Sequence, residues 1–138
     1  MDFNDFIKKK EVRKVQTDNN LIKSLIKTAY ADLKFLDSCK INSNSARKVI
    51  SNYYDVLRSI LEAIASLDGF KIYSHEAFTF FLKQKQEFNL ADKFDRFRRI
   101  RNKINYYGKY IEITEAVELK HEIKNLINKH KIKYLYFV

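Results

Sequence analysis

The chain has 138 residues, no proline and only two glycines, Gly69 and Gly108, so one domain over 1–138 with a sizeable core is expected, helical almost throughout. Its 27 Lys and Arg against 17 Asp and Glu leave a formal charge of +10. That excess favours phosphates or acidic proteins as partners, although a lysine-rich surface also serves plain solubility. A lone cysteine excludes an internal disulfide, the histidines offer no zinc-like spacing, and no apolar run reaches the ~20 residues of a membrane span. The first residues, Met1 to Asp5, lack the apolar core of a signal peptide, so a cytoplasmic chain with no metal or other cofactor is expected.

From residue 2 to about Lys14, Phe3, Phe6 and Ile7 followed by Lys8, Lys9, Lys10, Arg13 and Lys14 predict a short N-terminal helix. Asp18 is placed to cap the next helix, whose Ile22, Leu25, Ile26, Ala29, Leu33 and Leu36 recur every three or four residues. This helix should end near Cys39, read as a packing residue. The polar run from Asn42 to Ser45 is short enough to fold the following helix back antiparallel. The clearest helix carries Val49, Tyr53, Leu57, Ile60, Leu61, Ile64 and Leu67, and Asp68-Gly69 ends it.

After Phe70 to Tyr73, Ser74 can cap a helix with Glu76 in its first turn and Ala77, Phe78, Phe81 and Leu82 on its apolar side. A polar break near Gln84 to Asn89 precedes a basic helix from Ala91 to about Tyr106, with Gly108 placed for a left-handed cap. Thr114 and Glu115 open a last helix through Ala116, Leu119, Ile123, Leu126 and Ile127. Residues 132–138 alternate in a way that fits either a docked extended tail or more helix. The expected fold is all-α: an antiparallel up-and-down bundle of four to five main helices plus the short N-terminal one.

In the basic helix, Phe94, Phe97, Ile104 and Gly108 mark a stripe whose missing member is Arg101. A cation on a core-facing stripe is costly unless paired or facing a wet cleft, which makes Arg101 a candidate site residue. The competing reading has its aliphatic stem crossing the core to reach water, or its head paired with a structural acid. Between residues 93 and 109 stand seven cations, Lys93, Arg96, Arg98, Arg99, Arg101, Lys103 and Lys109, against one acid, Asp95. Such an excess suits phosphate contact, while no zinc-finger, RNA-recognition or KH pattern supports base-specific readout. Arg101 with Asn105, and Asn102 with Tyr106, are helical neighbours four residues apart, so four polar groups are expected to converge. Tyr106, Tyr107 and Tyr110 can stack on bases or anchor the next turn. His75 can approach this cleft across the bundle or serve as an ordinary helix-start residue, and His121 and His130 read as solvated.

Arg101-Asn102-Lys103-Ile104-Asn105-Tyr106-Tyr107-Gly108 resembles the signature of the HEPN superfamily: an arginine, an adjacent polar residue and, after four to six intervening residues, a histidine. Tyr53 to Arg58, Asp68 to Lys71 and Ser74 to Ala77 resemble the central helices of its archaeal members, so the likeness spans residues 18 to 130. It implies a helical bundle that dimerises so that two motifs share one cleft. It also implies either metal-independent ribonuclease activity, often as a toxin paired with a nucleotidyltransferase antitoxin, or a non-catalytic nucleotide- or partner-binding role. Arg101 and Asn102 match the motif, but Tyr106 stands where the histidine is expected. Tyrosine, with an ordinary pKa of ~10, is a poor base, which turns the expectation toward binding. The candidate catalytic residues are therefore Arg101, Asn102 and Tyr106. The candidate ligand-binding residues are Arg98, Arg99, Arg101, Lys103, Asn105, Tyr107 and His75. The expected partners are a second copy, RNA or a nucleotide, and a nucleotidyltransferase protein; a plain protein-interaction module is the further alternative.

Overall fold

The computed structural model of the chain describes residues 1–135. In chain order it comprises α1 (Phe3–Lys8), β1 (Val12–Lys14), α2 (Asn19–Ser38), α3 (Ala46–Leu67), β2 (Phe70–Ile72), α4 (His75–Gln84), α5 (Phe88–Tyr107) and α6 (Ile113–Leu135). It is the expected all-α bundle, with five main helices and a short N-terminal one.

The apolar periodicity places α3 at the centre. Its residues Ala46, Tyr53, Tyr54, Leu61, Ala63 and Ala65 are almost wholly buried, so it is covered on several sides where an ordinary surface helix would bury one stripe. Antiparallel packing follows from the contacts. Thr17, just before α2, donates to the Ser66 carbonyl at the far end of α3, while Tyr53 near the start of α3 reaches Asp37 at the end of α2. Against α5 the pairs run in opposite directions as well, Ser51 with Asn105 and Asp55 with Arg101. The core gathers side chains from all six helices and both strands, and Ile111, fully buried in the link before α6, pins that link down.

Local chemistry sets most boundaries. Asp18 accepts from the Leu21 amide at 3.1 Å and starts α2, and Cys39 caps its end, packed against the core. Gly108 adopts φ +62° at the end of α5, the left-handed cap that a glycine takes without a Cβ penalty.

Three expectations need correction. Residues 9 to 14 are not helical. Lys10 turns left-handed at φ +62°, and the chain then pairs antiparallel with β2, Val12 opposite Ile72 and Lys14 opposite Phe70. Burial of Val12 and Ile72 rewards this pairing, but two three-residue strands are too short to show an alternation in sequence. Ser74 occupies the cap position of α4, yet its side chain makes no capping hydrogen bond. And α5 begins at Phe88 rather than Ala91, because Gln86 makes the turn with φ +62° and lets Leu90 and Ala91 join the buried side. Of the alternatives for residues 132–138, helix continues to Leu135, and 136–138 lie outside the described residues. His121 is exposed, as expected, whereas His130 is partly buried. Among the described residues no helix is long and apolar enough to cross a membrane, and no group of three or more His, Cys, Asp or Glu could hold a metal ion.

Candidate functional site

On α5 the stripe Leu90, Ala91, Phe94, Phe97 and Ile104 is buried, and Arg101 sits in line with it. The arginine does not reach past the core into open water. Its side chain is 20% exposed, its guanidinium carbon lies 5.7 Å from the centre of the Tyr54 ring, and its nearest acid, Asp55, approaches only to 3.8 Å. That separation is an ion pair without a hydrogen bond. The Nε of Arg101 is buried and, among the described residues, has no partner. A guanidinium has five donors, so one with a buried, unpartnered Nε is under-satisfied, whereas the carboxylate it faces is 40% exposed and open to water. Burial raises the pKa of Asp55 above the ordinary carboxylate value, and Arg101 and Arg58 only partly offset it.

Tyr54 joins this arginine to a second helix. Its ring stacks on Phe94, and its hydroxyl lies 2.9 Å from Nδ1 of His75, the first residue of α4. Burial drives the pKa of Tyr54 upward, so the phenol stays protonated. Its proton has no other acceptor among the described residues, so Tyr54 is assigned as donor to Nδ1 and the imidazole carries its own proton on Nε2. Burial, followed by the positive charge of Arg58, Arg101 and Arg98, lowers the pKa of His75 to about 4. The site is thus a neutral histidine ringed by three arginines, where α3, the start of α4 and the middle of α5 meet.

The other arginines of α5, and Arg58 of α3, are already engaged. Arg98 donates to Asp95 at 2.8 Å and Arg99 pairs with the same carboxylate at 3.0 Å, which also accepts from Thr79. Arg96 reaches across to Glu122 of α6, and Arg58 pairs with Glu62 one turn on. The unopposed run of cations read from the sequence is therefore partly neutralised, by Asp95 within the helix and by an acid that only the tertiary fold supplies. Arg101 has the loosest ion pair of the set.

The predicted convergence of four polar groups does not occur. Successive residues on a helix point ~100° apart, so Arg101 and Asn105 share the ridge facing α3, while Asn102 and Tyr106 lie on the next ridge outward. Asn105 accepts from Ser51 of α3, and Tyr106, Tyr107 and Tyr110 are 72%, 83% and 60% exposed. Asn102 is half-buried and Lys103 exposed. His75, by contrast, does come to Arg101, through Tyr54.

Tyr54, Asp55 and Arg58 were not singled out by their chemistry in the sequence. A signal was present: Ser51, Asp55, Arg58 and Glu62 form a polar ridge at four- and three-residue spacing beside the apolar stripe of the helix. No protein-family model matches the chain, and neither does any curated protein or solved structure, which leaves the geometry around Arg101 as the ground for assigning a function.

Proposed function

We propose that the chain is a HEPN-like homodimer that binds RNA or a nucleotide through phosphate at Arg101, with ribonuclease activity weak or absent. The observation that carries this reading is the open Arg101–Asp55 pair. A partly exposed guanidinium with an acid no nearer than 3.8 Å keeps its terminal N–H donors available for a ligand oxyanion. Arg58 and Arg98, which both act on His75, add to the positive potential beside Arg101.

Binding is favoured over cleavage for two reasons. Tyr106, at the position of the family histidine, is 72% exposed and turned away from the ridge of Arg101. His75, with a pKa of about 4, is a weak base and is almost never protonated at neutral pH to serve as an acid. The exposed Tyr106, Tyr107 and Tyr110 supply an aromatic patch of the kind that marks an interface, which supports the second copy.

Fluorescence anisotropy with a labelled single-stranded RNA at low salt tests the reading. Arg101→Ala should weaken binding at least about tenfold and flatten the salt dependence by about one ion. Absence of RNA affinity in the unmodified protein would end it. Light scattering should show two copies per particle.

A metal-independent ribonuclease toxin with a nucleotidyltransferase antitoxin is the second reading, supported by the Tyr54 bridge that sets His75 beside Arg101. It requires RNA cleavage lost in both Arg101→Ala and His75→Asn proteins.

A further inference from the structure

Two grooves flank the outer face of α3, one against α2 and the other against the second half of α5. The α2–α3 groove, about 300 Å³, is lined by Asp32, Phe35, Asn52, Asp55 and Ser59 among others. The α3–α5 groove, about 340 Å³, is lined by Arg47, Lys48, Ser51, Asn52, Asp55 and Asn105 among others. Asn52 and Asp55 belong to both, so they form the low ridge between them. Each volume is at the lower end of the ~300 to 1,000 Å³ of small-molecule sites.

The grooves differ in charge. Besides the shared Asp55, the α2–α3 groove has a second carboxylate, Asp32, whereas the other groove has two cations, Arg47 and Lys48, at the first turn of α3. Arg101 stands beside the ridge, 3.8 Å from Asp55. Phe35, in the carboxylate-lined groove, is 67% exposed, an uncovered aromatic ring next to hydrogen-bond acceptors. A ligand matching both halves has an anionic end and a flat, donor-rich end.

We infer that the two grooves form one seat for an unpaired guanine nucleotide. Its base stacks on Phe35 with its Watson–Crick edge toward Asp55, and its phosphate, at the opposite end of the nucleotide, lies at Arg47 and Lys48. The inference rests on the phosphate-binding reading proposed above and adds the identity of the base and the cations at the start of α3. Guanine is selected by donor count. Its N1–H and amino group lie side by side and match the two oxygens of a carboxylate, as in other edge readouts of unstacked bases. Uracil presents a single N–H between two carbonyls that a carboxylate repels, and adenine and cytosine each place one amino group beside an acceptor. Asp55 is suited to the task because, among the described residues, its one charged contact is the long approach of Arg101. A base that supplies two N–H groups completes its hydrogen bonding.

Calorimetric titration of the full chain with guanosine, adenosine, cytidine and uridine monophosphates tests the assignment. The guanine nucleotide should bind at least about fivefold tighter than the uracil one, the discrimination of one bidentate contact. Asp55→Asn should bring that ratio to within about twofold. Asp32→Asn, at an exposed position that leaves folding undisturbed, should also reduce it. Phe35→Ala should weaken the guanine nucleotide about fivefold or more by removing the stacking surface. Equal affinity for all four nucleotides, or a ratio that survives these substitutions, overturns the inference while Arg101-dependent RNA binding still stands. No affinity for any nucleotide or RNA at low salt overturns both.

Discussion

His75 gives the sharpest physical test of the site. Its imidazole titrates at about 4 in the folded chain against 6.5 for the free group, because burial and then Arg58, Arg101 and Arg98 disfavour the cation. Between those values the unfolded chain takes up a proton that the folded chain does not. The contribution is thus fully present above pH 6.5, declines as the pH falls, and is gone once the pH passes below about 4. The whole shift would correspond to about 3 kcal/mol, but water screens a half-buried ring, and about 1–2 kcal/mol is the expected size. Asp55 acts in the opposite sense. Its raised pKa gives stability at acid pH that is lost as the pH rises through the folded value, so a single pH profile mixes the two. His75→Asn separates them, since the amide oxygen still accepts from Tyr54 but does not titrate. Urea unfolding of both proteins from pH 4 to 7.5 should show a difference that grows toward pH 7 by that amount. Imidazole NMR shifts, assigned with the same variant, should show His75 unprotonated at pH 5.5. A His75 signal that titrates near 6.5 would refute the arginine-ringed, buried placement.

Replacing the pair at the centre, Arg101→Met with Asp55→Leu, should leave thermal stability equal or higher by about 1 kcal/mol, since a long, partly buried pair regains little of its desolvation cost, while RNA binding is lost. Tyr53→Phe removes the 2.7 Å bond to Asp37, which also pairs with Lys124 and so ties α2, α3 and α6 together; unfolding free energy should drop by about 1–2 kcal/mol in urea titration. Gly69→Ala should cost more than Gly108→Ala by thermal melting. Both have positive φ, about 1 kcal/mol of strain for alanine, but a Cβ at Gly69 would also press the Val15 carbonyl at 3.3 Å, whereas Gly108 faces open space.

The helices were legible where a single physical rule decides them. Val49, Tyr53, Leu57, Ile60 and Ile64 recur at helical spacing because the fold buries that face, and Gly108 has its place because only glycine takes the left-handed cap without penalty. Arg101 was visible as a break in such a stripe. What the sequence could not show is what an element meets across space. Nothing near Val12 in the chain indicates that it pairs with Ile72, and nothing near Arg96 reveals Glu122. The same limit explains the site. Counting residues four apart joined Arg101 to Asn105 and Asn102 to Tyr106 correctly as ridges, but the two ridges point ~100° apart. Only the position of α3 decides which ridge faces inward.

The polar seam on α3 also bears on why the site is built as it is. Ser51, Asp55, Arg58 and Glu62 run along a helix that could have packed a fully apolar face against α5, and buried or half-buried charges rarely add net stability over hydrophobic side chains of similar size. Two of these contacts are well made: Arg58 with Glu62 at 3.2 Å, and Ser51 with Asn105 at 3.3 Å. The third, Arg101 with Asp55, is left open, with an orphaned Nε on one side and a carboxylate of raised pKa on the other. A pair serving structure alone gains most by closing to hydrogen-bonding distance, because a buried unmade bond such as that of the Arg101 Nε costs about 1–3 kcal/mol. Holding the pair apart makes physical sense when a ligand oxyanion takes up the arginine's free donors, which is what the proposed phosphate binding requires.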